Sequence, residues 1–279
     1  MKYFKLVLSL LLLLLIMSCK KGVPKALSGY VVLSPEVAEI LCALGAEADI
    51  VAITEECNFP PSLASKPKVG SFSAIDKEAI IALNPAIIFA SALEQEGQAA
   101  ELKKLGYNVQ VFYPKSLKSM NEEILKLGRL TGKINASQNM RLQMEAAVAA
   151  IKAKCANLPK PKVYLEIYRD PLMSVSDSSF VGELIEAAGG DNIFPTLERD
   201  YARVNPEAVI NAKPEIMICF SQDSLNNIRS RKGWQDIPAI RNKRIYFEKD
   251  INPDLIQRAT PRCIDGMRSL QKLFFKKDK

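Results

Sequence analysis

Lys77-Glu78-Ala79-Ile80-Ile81-Ala82-Leu83-Asn84-Pro85-Ala86-Ile87-Ile88 returns in altered form as Pro206-Glu207-Ala208-Val209-Ile210-Asn211-Ala212-Lys213-Pro214-Glu215-Ile216-Met217. Both segments read x-Glu-Ala-(Ile/Val)-Ile-x-(Leu/Ala)-x-Pro and then become apolar. The first part has helical spacing, the proline stops the helix, and the apolar run suits a buried strand. A chain that repeats a helix–Pro–strand unit holds two similar α/β lobes. Each unit also places a glutamate near the start of its helix. There the helix dipole favours a carboxylate for structural reasons alone. The recurrence of Glu78 and Glu207 equally makes a matched pair of acidic knobs, one per lobe.

The same alternation extends outward from both copies. Tyr30–Leu33, Ile50–Ile53, Ala86–Ala90 and Val109–Phe112 read as strands separated by helical patterns over Glu36–Leu44, Asp76–Leu83 and Gln98–Leu105. Ser34 can cap the first helix, with Pro35 in its first turn. After a helix over Ser119–Leu130, a long helical pattern with few breakers runs from about Ala136 to Ala156, and Pro159-Lys160-Pro161 ends it. The alternation then restarts, with strands at Val163–Ile167, Glu215–Phe220 and Arg244–Phe247 and helices at Ser179–Ala188, Pro206–Ala212, Ser224–Lys232 and Pro261–Phe275. Strands separated by helices predict mainly parallel sheets. The expected organisation is an amino-terminal α/β lobe over 30–133, a linker helix over 134–158 and a carboxy-terminal α/β lobe over 159–279. A surface helix within one larger domain is the alternative reading of the long segment.

Composition narrows the function. The chain has 279 residues, nearly half of them apolar, which suits a sizeable core. Lys and Arg number 38 against 31 Asp and Glu, a mild excess that is scattered, so no nucleic-acid footprint is expected. There is no histidine, which removes the commonest general base and the commonest transition-metal ligand. No Gly-x-Ser-x-Gly, P-loop or Gly-x-Gly-x-x-Gly is present. The six cysteines have no close spacing, and apart from Cys19 they are odd in number, so no bridge can be assigned. At the start, Lys2 and Lys5 precede an apolar run from Leu6 to Met17 that is shorter than the ~20 residues of a membrane span. This is a secretory signal over 1–18. Ile16-Met17-Ser18-Cys19 resembles the bacterial lipobox, which implies lipidation of Cys19, a tether over 19–29 and anchoring to a membrane outside the cytoplasm. An ordinary signal peptide with a chance cysteine is the alternative.

A set of motifs then carries a family resemblance. In order they are Leu33-Ser34-Pro35 with Glu39-Ile40 and Leu44-Gly45, Cys57-Asn58-Phe59-Pro60-Pro61, Val69-Gly70-Ser71-Phe72 and the Glu78 helix with Leu83-Asn84-Pro85. Ala188-Gly189-Gly190-Asp191-Asn192-Ile193-Phe194, the Glu207 helix with Lys213-Pro214, Trp234 with Ile240–Tyr246, and Arg258-Ala259-Thr260-Pro261-Arg262 complete the set. Together they resemble the periplasmic metal-chelate-binding proteins of ABC importers, the group that includes cobalamin-, ferric-siderophore- and haem-binding lipoproteins.

That resemblance implies an α/β fold of two Rossmann-like lobes joined by one long helix, as in class III substrate-binding proteins. It implies a ligand in the cleft between the lobes, no catalysis and no resident cofactor. The partners implied are an ABC permease dimer with its ATPase subunits, docked through Glu78 and Glu207. Phe72 and Tyr201 fall where cobalamin-binding members carry flanking tryptophans. Arg199 and Arg203 flank Tyr201, Tyr168-Arg169 follow a strand end, and Arg258 and Ser34 stand at helix starts, so all are candidate ligand contacts. Glu56 and Ser91 replace aromatics of the cobalamin binders, which thins the aromatic set. Trp234 is expected to pack in the carboxy-terminal lobe. Without histidine, His-ligated haem is excluded while Tyr-ligated haem through Tyr168 or Tyr201 survives, and a corrinoid stands slightly ahead of a ferric chelate held by tyrosine and arginine. An enzyme on the same scaffold, chelatase-like or hydrolytic, and an adhesive or scaffold lipoprotein are the competing classes.

Overall fold

The computed structural model describes residues 29–91 and 95–276. The signal segment, Cys19 and all but the last residue of the tether lie outside the described residues.

In the first half, strands β1 (Tyr30–Val32), β2 (Ile50–Ile53), β3 (Ile87–Ser91) and β4 (Val109–Phe112) form a parallel sheet in the order β2-β1-β3-β4. Helix α1 (Pro35–Ala43) starts as its sequence dictates: Ser34 Oγ accepts the amide of Val37 at 3.3 Å, and Pro35 sits in the first turn. Helices α2 (Lys77–Leu83) and α3 (Glu96–Lys104) complete the crossovers, and α4 (Leu117–Leu130) leads into the long α5 (Ile134–Cys155).

In the second half, β5 (Lys162–Glu166), β8 (Asp191–Asn192), β10 (Ile216–Cys219) and β11 (Ile245–Phe247) form another parallel sheet, ordered β11-β10-β5-β8. A small antiparallel sheet of β6 (Tyr168–Arg169), β7 (Leu172–Val175) and β9 (Tyr201–Arg203) is added to it. The sheet lies outside the strands expected from the sequence pattern. Around these strands lie α6 (Phe180–Ala187), α7 (Pro206–Ala212), α8 (Leu225–Ser230), α9 (Pro238–Arg241), α10 (Asp254–Gln257) and α11 (Cys263–Phe274).

The repeated unit folds alike in both halves. Asp76 Oδ1 accepts the amide of Ala79 at 2.9 Å to cap α2, and Asn205 Oδ1 accepts the amide of Glu207 at 2.9 Å to cap α7. Each helix ends on a left-handed residue before proline, Asn84 at φ 49° and Lys213 at φ 53°. Asparagine tolerates that backbone, whereas for lysine it carries a modest strain.

Strand alternation divides the core into three. Val31, Leu33 and Ile88 point to the outer face of the first sheet, where Ile80 of α2 packs on them. Tyr164, Met217 and Cys219 point to the outer face of the second sheet, where Val209 of α7 and the fully buried Trp234 pack. The inner faces share one continuous core, with Val32 and Phe89 from one sheet and Val163, Leu165 and Ile218 from the other. Met144 and Ile151 of α5, Ile124 and Leu127 of α4, and Met267 and Leu270 of α11 fill the space between them. The long helix is thus packed along its length, and the two Rossmann-like halves are held together by apolar contact.

Candidate ligand cleft

The carboxyl ends of parallel strands are where an open α/β sheet leaves room for a ligand. Here those ends face each other across a cavity of about 440 Å³. From the first half it is lined by Ser34 and Glu36 at the start of α1, Phe72, Ser91 at the end of β3, Phe112 at the end of β4, Tyr113 after it, and Glu123 of α4. From the second half come Phe180 at the start of α6, Tyr201 of β9, Gln257 and Ala259. A shallower hollow beside it shares Glu36 and Phe72 and adds Glu56, Ser73 and Arg258. Apolar walls with a few polar groups are the usual makeup of a small-molecule site.

The polar groups are ordered by their neighbours. Ser34 Oγ donates to Glu36 Oε2 at 2.7 Å, and Glu56 Oε2 accepts the amide of Phe72 at 2.8 Å, which fixes the loop bearing that ring. Glu123 Oε1 accepts the amide of Tyr113 at 3.0 Å. Burial pushes the Glu123 carboxyl up to about 7; the Tyr113 amide and Lys126 oppose the rise and Glu36 adds to it. Burial also raises the phenols of Tyr201 and Tyr113 above their ordinary range, so both remain protonated at neutral pH. At the rim, Asp200 receives the Tyr113 hydroxyl at 3.4 Å and Lys115 Nζ at 2.9 Å, tying the two halves.

The structure separates the residues singled out from sequence. Phe72, Tyr201 and Ser34 line one cavity, with Phe72 and Tyr201 contributed by opposite halves, and Ser91 joins them. Arg258 borders the shallower hollow, but its guanidinium is engaged elsewhere: Nη1 donates to Glu39 Oε1 at 3.0 Å and to Asn58 Oδ1 at 2.9 Å, and Nε lies 3.3 Å from Asp254. Glu39 also takes Arg262 Nε at 2.7 Å, and Arg262 stacks on Phe59 at 3.8 Å. Tyr168, Arg169, Arg199 and Arg203 line neither the cavity nor the hollow. Tyr168 is exposed on the two-residue β6, Arg169 reaches Asp223 at 3.4 Å, and Arg199 lies 3.5 Å from Glu198 on the surface. Arg203 is exposed two residues beyond Tyr201 on β9. Asp223 itself is held by Arg231, which also makes a bidentate pair with the fully buried Glu166 at 2.6 and 2.8 Å. Glu78 and Glu207 are exposed near the starts of α2 and α7.

Glu36, Phe112, Tyr113, Glu123, Phe180 and Gln257 are cleft residues that sequence reasoning missed. Tyr113 and Phe112 carried a usable signal, an aromatic pair at a strand end before Pro114. Glu123 carried none, because it follows the exposed Glu122 in an ordinary helical pattern. Among the described residues, no cluster of three or more cysteine and acidic groups is arranged to hold a metal ion.

Comparison with known proteins agrees with this architecture. The Vitamin B12-binding protein of Vibrio vulnificus strain YJ016 is 27% identical over 233 residues, covering 83% of this chain and 84% of the relative. The crystal structure of the periplasmic vitamin B12 binding protein BtuF of Vibrio cholerae superposes with a TM-score of 0.77 at 22% identity, covering 88% of this chain and 96% of that one. The periplasmic heme-binding protein RhuT of Roseiflexus sp. RS-1 in its apo form superposes with a TM-score of 0.79 at 21% identity, covering 90% and 98%. At these identities the structural likeness carries the fold. The sequence profile of the Periplasmic binding protein family matches residues 31–251, most of the chain, and the chain belongs to that family.

Proposed function

We propose that this protein captures a metal chelate, a corrinoid or an iron chelate such as a siderophore or haem, and delivers it to the permease of an ABC importer. The observation that carries this reading is the cavity of about 440 Å³ lined by aromatic side chains of both halves, Phe72 from the first and Tyr201 from the second among them. A flat, mixed-polarity ligand is well served by aromatic walls and a few polar anchors. The work is binding rather than bond making: affinity must differ between the free and the permease-docked state, and no nucleophile or base is required. Relatives named as vitamin B12-binding and heme-binding proteins support this class of ligand.

Substrate-binding proteins of ABC importers act with a permease and an ATPase, outside the cytoplasm. In this chain Glu78 and Glu207 would dock on the permease as exposed acidic groups on equivalent helices, setting register and orientation through charge pairs. Cys19 would carry the lipid that holds the protein at the membrane, with residues 1–18 removed. The lobes would span 30–133 and 159–279, with 134–158 as the linking helix. A fluorescence titration of the purified protein with cobalamin, haemin and ferric siderophores tests the reading. Saturable binding of one class is expected, and no saturation with any of them would overturn it.

A further inference from the structure

The charge of the cleft is one-sided. Glu36 and Glu123 are the charged side chains among its lining residues, and no lysine or arginine joins them. The cations nearby are committed elsewhere: Arg258 to Glu39 and Asn58, Lys115 to Asp200, while Lys126 lies 4.6 Å above the ring of Phe112. Each of the two carboxyl groups keeps spare acceptor capacity. Glu36 takes one bond from Ser34 and Glu123 one from the Tyr113 amide, whereas a carboxylate offers about four acceptor positions. Such a wall is poorly disposed to an anion and well disposed to N–H donors.

We propose that Glu36 and Glu123 select chelates whose bound edge carries hydrogen-bond donors such as carboxamides, and that they reject chelates presenting carboxylates or catecholates at that edge. This rests on the reading of the cleft as the ligand site. It deepens that reading, because it favours an amide-rimmed macrocycle over a haem-type or catecholate chelate. Selectivity comes from repulsion of the wrong ligand as much as from attraction of the right one.

The test compares two forms of one macrocycle at pH 7.5 by calorimetry. One is dicyanocobinamide, with carboxamide side chains, and the other is the same corrinoid with those amides hydrolysed to carboxylates. The wild-type protein is expected to bind the amide form at least about tenfold more tightly. In the Glu36→Gln/Glu123→Gln double variant the ratio should fall below about threefold, with each single variant between. The wild-type comparison needs no variant to fold. Equal affinity for the two forms, an unchanged ratio in a folded double variant, or tighter wild-type binding of haemin than of dicyanocobinamide would overturn the selectivity and leave the cleft reading in place. Failure of the corrinoids, haemin and ferric siderophores alike to bind wild-type protein would overturn the cleft reading and the selectivity with it.

Discussion

Glu39 is a junction between the two ends of the chain, and removing its carboxylate should be costly. The residue is 4% exposed and accepts Arg258 Nη1 at 3.0 Å, Arg262 Nε at 2.7 Å and Arg262 Nη2 at 2.5 Å. Glu39→Ala leaves two guanidinium groups in a poorly hydrated seam without their counter-charge. Breaking a buried pair by deleting one partner costs roughly 3–5 kcal/mol. The lower end applies here, because the arginine side chains keep 13% and 19% exposure and Arg258 retains Asn58 and Asp254. A loss of about 3 kcal/mol in a domain of this size lowers Tm by roughly 6–12 °C. Arg268→Ala is the matched control: its pair with Asp265 at 3.0 Å is exposed on both sides, so a change within about 0.5 kcal/mol is expected. Thermal melts by circular dichroism, with urea midpoints at unchanged slope, read both variants. A Tm drop of under about 2 °C for Glu39→Ala would refute the claim that this ion cluster adds substantially to the apolar contact between the halves.

Three further outcomes follow from the same geometry. Phe72→Ala and Tyr201→Ala should each weaken chelate binding roughly ten- to hundredfold, the usual cost of losing a buried aromatic anchor. Wild-type affinity in either titration would remove that ring from the site. Glu78→Ala with Glu207→Ala should leave binding unchanged and lower transport by a reconstituted importer, and full transport by the double variant would reject the docking role. Glu123 has its folded pKa raised to about 7, above its ordinary 4.5, by burial and Glu36 against the Tyr113 amide and Lys126. Its protonation therefore contributes stability that is fully present below about pH 4.5 and is lost as pH rises through about 7. Glu123→Gln cannot ionise, so its Tm relative to wild type should be higher at pH 8 than at pH 5, and a pH-independent difference would contradict the raised pKa.

What could be read from sequence was what local chemistry decides. The twin segments at Glu78 and Glu207 carry their own caps, left-handed ends and prolines, so both fold as their patterns require. Ser34 and Pro35 announced α1, and the breaker-free run after Gly132 announced α5. The small antiparallel sheet was not legible, because β6 and β9 span two and three residues and expose much of their surface. Periodicity needs longer runs to register. Arg258 shows the limit for site residues. Its charge and place at a helix start made it a candidate ligand contact, but its partner Glu39 lies 219 residues earlier, and only the packed structure brings them together. Glu123 depends likewise on helix phase: it faces the cleft while its neighbour Glu122 faces solvent.

The central claim is that one chelate binds between Phe72 and Tyr201. Calorimetric titration of the protein lacking residues 1–19 with a corrinoid and with haemin, repeated on the Phe72→Ala/Tyr201→Ala double variant, tests it most directly. Saturable binding of one chelate per chain is expected, with a negative heat-capacity change from apolar burial, and its loss in the folded double variant. Absence of saturable binding, or full retention of it in the double variant, would rule out a chelate site between these two residues.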